Sequence, residues 1–196
     1  VSTLSAWTLT VVHNGAVGSY TISTTTTTPT AGSWFGAKVT AFDIYGNKMV
    51  NYGGTRTFGF SGPSAAPSGT APLFEATLGA GATNSYTFGS GEADVIVTLY
   101  NVEDTTLTVI DSLVSTAYAT TSMLYVSPGT VNKYVVAAPT GPYSTDETFY
   151  VTVTPYDLWM NITNGGAAVA MTATVVSGTT GTLSGTLSIN TSSCAT

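Results

Sequence analysis

Along most of the chain apolar and polar residues alternate with a period of two, in short runs bounded by clusters of Gly, Pro, Asn and Ser. In TFYVTVTPY (148–156), Phe149, Val151 and Val153 fall on one face and Thr148, Tyr150, Thr152 and Thr154 on the other, because successive strand side chains point to opposite sides. The runs WTLTVV, GSYTIS, WFGAKVTAF, TRTFGF, LFEATL, SYTF, DVIVTLY, TTLTVID, SMLYV, NKYVVA, AVAMTATVV and TLSGTLSI continue the pattern, and no segment has a helical period. Many short strands separated by turn signals predict an all-β sandwich. The threonine run at 24–28, followed by Pro29, reads as a strand end and loop rather than a mucin-like linker, since it lies inside a repeated unit.

That unit is visible at one fixed offset. Gly15, Val17, Tyr20, Phe35, Val39, Thr40, Asp43 and Asn47 are matched by Gly129, Val131, Tyr134, Phe149, Val153, Thr154, Asp157 and Asn161, an offset of 114 (157 − 43) that needs no gap. Self-similarity at this length means two tandem domains. The matched turns, VTAFDIYGN and VTPYDLWMN, are explicable locally. Asp43 and Asp157 can accept hydrogen bonds from nearby backbone N–H groups, and Gly46 or Asn47 and Asn161 can take positive φ.

Composition narrows the function. Charged residues are 7% of the 196, with four basic residues (Lys38, Lys48, Arg56, Lys133) against ten acidic ones, too few cations for a phosphate backbone, so nucleic acid is not an expected partner. No apolar run is long enough to span a bilayer, which disfavours a membrane-spanning segment and a pilin-type helix. One cysteine, Cys194, cannot form an internal disulfide. The only histidine is His13, so neither a His-based triad nor a His-rich zinc site can assemble within one chain. Adjacent carboxylates such as Glu103 with Asp104 and Asp146 with Glu147 do not flank a cleft as glycosidase carboxyls do. No catalytic residue, cofactor or metal is expected, and the protein reads as a non-enzyme.

AGSWFGAKVTAFDIYGNKMVNYGGTRTFGFSG, followed by LFEATL, SYTFGSGEADVIVTLYN and TTLTVID, resembles the bacterial and archaeal Ig-like repeat of large surface proteins, whose units carry an AG-x-x-F-x-V-x-V-x-A-x-D-x-x-GN core. SMLYVSPGTVNKYVVA is similar to the joint leading from one unit into the next. The resemblance implies two immunoglobulin-like β-sandwich domains on an extracellular, cell-surface protein whose signal peptide has been removed. In the second copy Thr145 and Asp146 replace the AG pair and Met160 replaces Gly46, departures that put the turn shape in doubt. The expected layout is an N-terminal extension (1–13), domain one (14–115), a connecting strand or linker (116–133) and domain two (134–196).

Domain two is short. From Tyr20 to its match Tyr134 is 114 residues (134 − 20), whereas only 63 remain from Tyr134 to Thr196 (196 − 133). Counterparts of DVIVTLY, TTLTVID and SMLYV, which would close the sandwich, are missing from that copy. An open sandwich is an aggregation liability unless filled. The segment AWTLTVV (6–12) matches TTSMLYV (120–126) at the same offset, and it presents Trp7, Leu9 and Val11 on one face. The expectation is donor-strand complementation. This segment of one molecule enters an acceptor groove of Phe149, Val151, Val153, Met171, Leu187 and Ile189 in the next, propagating a head-to-tail homopolymer. The same segment closing its own domain one is the alternative in cis. Two Ig-like domains, an extended N-terminal strand and low charge also resemble the crenarchaeal thread type of extracellular filament subunit.

Two sequons, at Asn161 and Asn190, are expected glycan acceptors in an exported chain. Trp34, Tyr45, Tyr52, Tyr156 and Trp159 lie near the repeated turns and can stack on sugars, so a surface adhesin or carbohydrate-binding module contacting other cells or surfaces is the second expectation.

Overall fold

The structure, a computed structural model, describes residues 15–114, 116–141 and 147–164, and residues 168–170 and 188–190 by their strand pairing. The chain is all-β, with two β-rich units. No helix among the described residues is long and apolar enough to cross a membrane.

Unit one contains β1 (Val17–Thr24), β2 (Trp34–Asp43), β3 (Gly54–Ser61), β4 (Leu73–Glu75), β5 (Ser85–Phe88), β6 (Glu92–Thr98), β7 (Asp104–Thr105), β8 (Thr108–Asp111), β9 (Tyr118–Thr120) and β10 (Leu124–Tyr125). Two four-stranded antiparallel sheets, ordered β1-β2-β6-β4 and β5-β3-β8-β9, face each other. Alternation drives the packing. Along β2 every second residue is buried, so Phe35, Ala37, Val39 and Ala41 meet Phe58, Tyr86, Phe88 and Val109 of the other sheet. The sheets are also joined by a directed hydrogen-bond relay. Arg56 Nε donates to the Tyr52 hydroxyl at 2.7 Å, Tyr52 lies 2.9 Å from the Tyr20 hydroxyl, and Tyr20 donates to Asp111 Oδ2 at 2.6 Å. Burial, and then the bond to Asp111, push the Tyr20 hydroxyl's pKa far up, so it remains the donor.

Part of the expected connector belongs to unit one, since β9 pairs with β8 and β10 with β7. Residues 125–127 then run alongside 27–31: Tyr125 N donates to the Thr27 carbonyl, Ser127 N to Pro29, and Ala31 N back to Ser127. The run TTLTVID splits into β7 and β8, and LFEATL holds its ladder only over β4. The short β9 carried no sequence signal long enough to be expected.

Unit two shows β11 (Lys133–Ala137), β12 (Thr152–Tyr156), β13 (Ala168–Ala170) and β14 (Ser188–Asn190), as the pairs β11-β12 and β13-β14. The first pair repeats β1-β2 at the 114-residue offset: Tyr20 faces Ala41 and Tyr134 faces Pro155. In the second pair Ala168 lies one offset after Gly54, but its partner Asn190 is 102 residues after Phe88 (190 − 88), so β14 does not follow β5 at the repeat. β12, the counterpart of β2, is shorter than expected. Phe149 and Val151 precede it, and only Val153 of the expected alternating triplet lies within the strand and is buried.

Candidate functional site: the interface between the repeats

The two repeated turns share one internal chemistry. Asp43 N donates to the Asn47 carbonyl at 2.9 Å, and Asp43 Oδ1 accepts from Tyr45 N and Asn47 N, both at 2.9 Å. One offset later, Asp157 N donates to the Asn161 carbonyl at 3.0 Å, and Asp157 Oδ1 accepts from Trp159 N and Asn161 N at 2.9 Å. The Gly-to-Met replacement does not change the turn, because Met160 adopts the left-handed φ of 69° where Gly46 has 83°. Carboxylates consumed by backbone donors are turn residues, and no group of three or more His, Cys, Asp or Glu gathers among the described residues.

Outside the turn the two sites differ. The Asp157 turn is inserted against the end of unit one. Asn161 Nδ2 donates to the Tyr100 carbonyl at 2.8 Å while Val102 N donates to Asn161 Oδ1 at 3.1 Å, so one amide satisfies a donor and an acceptor of the facing backbone. Ser68 N donates to the Trp159 carbonyl at 3.0 Å. The Trp159 ring packs against unit one's core, with Tyr100 at 5.4 Å between centroids, and occupies the space above Gly32, where a Cβ would stand 1.7 Å from Cη2. Gly129, at the junction, donates its N–H to Asp157 Oδ2 at 3.1 Å. Asp157 and Asn161 are buried. Beside them Pro67, Asn101, Val102, Tyr156, Met160 and Ile162 line an open groove of about 350 Å³.

Asn161, an expected glycan acceptor, is buried in this interface. Its Nδ2, the atom that would carry the sugar, is buried and donates to both Tyr100 and Asp157 (2.8 Å each), and the sequon hydroxyl of Thr163 is buried too. A glycan would displace the docked turn. Asn190 lies on β14, and its side chain is outside the description, as is that of Ile189. Trp7, Leu9, Val11, His13, Met171, Leu187 and Cys194 lie outside the described residues. Of the aromatic set, Tyr156 lines the groove beside the docked turn. Trp159 is in the interface, Tyr52 is in the relay to Asp111, and exposed Trp34 and Tyr45 stand at opposite ends of β2, roughly 30 Å apart by strand length. Of the receiving face, Gly32, Tyr100 and Val102, only the glycine was singled out from sequence, as part of the AG pair. Two of the three act through backbone atoms, which carry no residue signature.

No protein-family model matches the chain, and no curated protein matches it by sequence. Among solved structures it is similar to the Escherichia coli adhesin FdeC, at 21% identity and a TM-score of 0.46, over 82% of this chain and 48% of that one. It is also similar to the surface-layer protein SbsC. Domains 4–9 match at 19% identity and a TM-score of 0.35, over 83% of this chain and 24% of that one. Domains 5–6 match at 18% identity and a TM-score of 0.37, over 83% and 74%. The chain thus spans about half of the adhesin structure and about a quarter of the longer surface-layer one.

Proposed function

We propose that this chain is a structural length of an extracellular surface array, of the kind found in a surface adhesin or surface-layer protein, whose sandwich units are held in line by turns docked on the preceding unit. The docked Asn161 amide supports this most directly. A flexible tether between domains has no need to bury an asparagine and a tryptophan against the neighbour, whereas a spacer that must hold its angle does. Few charges and a hydroxyl-rich exterior suit a structural surface protein rather than a nucleic-acid binder or enzyme. Small-angle X-ray scattering tests the reading: the intact chain should fit one fixed inter-unit angle and Trp159→Ala a distribution of angles. Equal flexibility in both would overturn it.

A second, finer reading is a filament in which strands pass between copies. Positions that form the core of unit one stand open in unit two: Tyr134 is 38% exposed against 4% for Tyr20, Val136 54% against 8% for Ile22, and Val151 44% against 4% for Ala37. A donor segment carrying Trp7, Leu9 and Val11 from a neighbouring copy would cover part of that face, at roughly 1.5–3 kcal/mol for each fully buried side chain. In unit one β6, β8 and β9 all lie beyond β5, so a single donor replaces one of several strands. Electron microscopy of the intact chain against one lacking residues 1–12 decides this. Filaments lost on truncation support strand donation, and equally monomeric chains discard it while leaving the array reading standing.

A further inference from the structure

We propose that the outer face of the β1-β2-β6-β4 sheet carries a binding site for one neutral pyranose ring of a glycan, with Trp34 as the stacking surface and Asp94 as the acceptor for its hydroxyls. The site goes beyond the array reading, which concerns how units are joined and not what they hold. β2 is buried at every second residue, so the alternate positions, Trp34, Gly36, Lys38 and Thr40, turn outward. The register sets three rows across that face. Trp34 lies beside Thr98 of β6, Gly36 lies between Ile96 and Thr25, and Lys38 lies between Ser23 and Asp94. A cavity of about 240 Å³ opens over the middle row, its lining including Ser23, Thr25, Gly36, Lys38, Asp94 and Ile96. That volume suits one sugar ring, since sites for drug-sized ligands begin at about 300 Å³.

Gly36 makes the hollow. A glycine inside a central strand costs stability and commonly marks a place where a ligand or another backbone comes close. The Thr25 methyl uses part of the space, 3.2 Å from where a Cβ would stand, and the rest is open cavity. Trp34, one step along the same face at about 7 Å between Cα atoms, is exposed, so a large indole stands in water at the edge of an apolar floor. On the other side of the floor Lys38 Nζ lies 3.1 Å from Asp94 Oδ1 and 3.2 Å from Glu92 Oε2, and the Asp94 carboxylate is largely exposed. An aromatic face, a small apolar floor and an exposed carboxylate fit a ligand with one C–H face and a rim of adjacent hydroxyls, which describes a pyranose. The charges of Lys38, Lys48, Glu92 and Asp94 cancel in sign, so a neutral sugar matches the site better than an acidic one.

Proton–nitrogen correlation NMR of the full chain tests this, with the methyl glycosides of glucose, galactose, mannose and N-acetylglucosamine, and glucuronic acid, as the added probes. At least one neutral glycoside should shift the Trp34 indole N–H and the backbone amides of Gly36, Asp94 and Ile96, saturating with a dissociation constant of about 1–10 mM, as befits one ring on one stacking surface. Trp34→Phe assigns the indole signal. Trp34→Ala and Asp94→Asn, both at exposed positions, should each weaken binding about ten-fold, whereas Trp159→Ala, at the joint, should leave it unchanged. No saturating shift with any of the four neutral glycosides overturns the site. Tighter binding of glucuronic acid, shifts confined to the joint around Tyr156 and Asn161, or unchanged affinity in both exposed variants overturns it too. The first three of these outcomes are read on the unaltered chain and so decide the matter even where a variant fails to fold. The array reading is judged separately, by the angle between units, and survives each of them.

Discussion

The ring of Trp159 fills the space that Gly32, 127 residues earlier (159 − 32), leaves by having no side chain. Gly32 also has a φ of 77°, a conformation that costs an L-residue about 1–2 kcal/mol. Gly32→Ala should therefore lose at least that much stability and expel the ring. A red-shifted tryptophan emission together with a lower urea midpoint is the expected result. An unchanged spectrum would mean that the ring is not seated there.

Asn161 and Asn47 offer an internal control. Asn161→Ala leaves the Tyr100 carbonyl and the Val102 N–H without their partner at the interface and should cost about 1–3 kcal/mol. Asn47→Ala, at an exposed turn, should stay within about 0.5 kcal/mol. Equal losses in urea denaturation would show that the turn itself, rather than its docking, sets the energy.

Thr163 carries the one buried side-chain oxygen without a hydrogen-bond partner among the described residues. Replacing that hydroxyl by a methyl of similar size removes an unsatisfied group, so Thr163→Val should be neutral or stabilising by about 1 kcal/mol. The same change destroys the sequon at Asn161. Intact-mass analysis of exported protein should therefore show no loss of a glycan from that position.

Tyr20 and Asp111 cross the sandwich from β1 to β8. Tyr20→Phe keeps the ring and removes the donor, leaving a buried carboxylate oxygen short of one partner, and should lower stability by about 1–3 kcal/mol. Chemical denaturation measures this, and a loss near zero would place the relay among surface interactions.

On the outer face Lys38 and Lys48 pair with Glu92, and Lys38 also with Asp94 at 3.1 Å. Hydrogen bonds from Lys48 and then Lys38 hold the Glu92 carboxyl below its ordinary range, so its contribution is present above that range and fades as pH falls through the folded-state value. The hydrogen bond to Asp94, then that to Glu92, raises Lys38, whose contribution is complete below the ordinary lysine range and fades as pH rises through its folded-state value. The stability difference between wild type and Glu92→Gln should shrink on acidification and shrink again in high salt, because these pairs are exposed.

Much of this architecture is legible in the residue pattern. Period-two alternation at β2, β5 and β6, with buried positions falling on every second residue, follows from the geometry of a pleated strand and needs no knowledge of what lies opposite. The paired turns were legible for the same reason. An aspartate accepting the next backbone N–H groups is a local event, and its recurrence at one offset survives even the change from Gly46 to Met160.

What the sequence by itself determined, then, is the all-β class, the duplication and the chemistry inside each turn, all of which depend on residues close together in the chain. Only the tertiary structure decided that Asn161 is buried at the joint between the units, that Trp159 belongs to the interface, and that residues 125–127 close unit one. Those outcomes depend on which carbonyl, N–H or missing Cβ lies across the gap, and backbone groups are the same at every position until folding sets their neighbours.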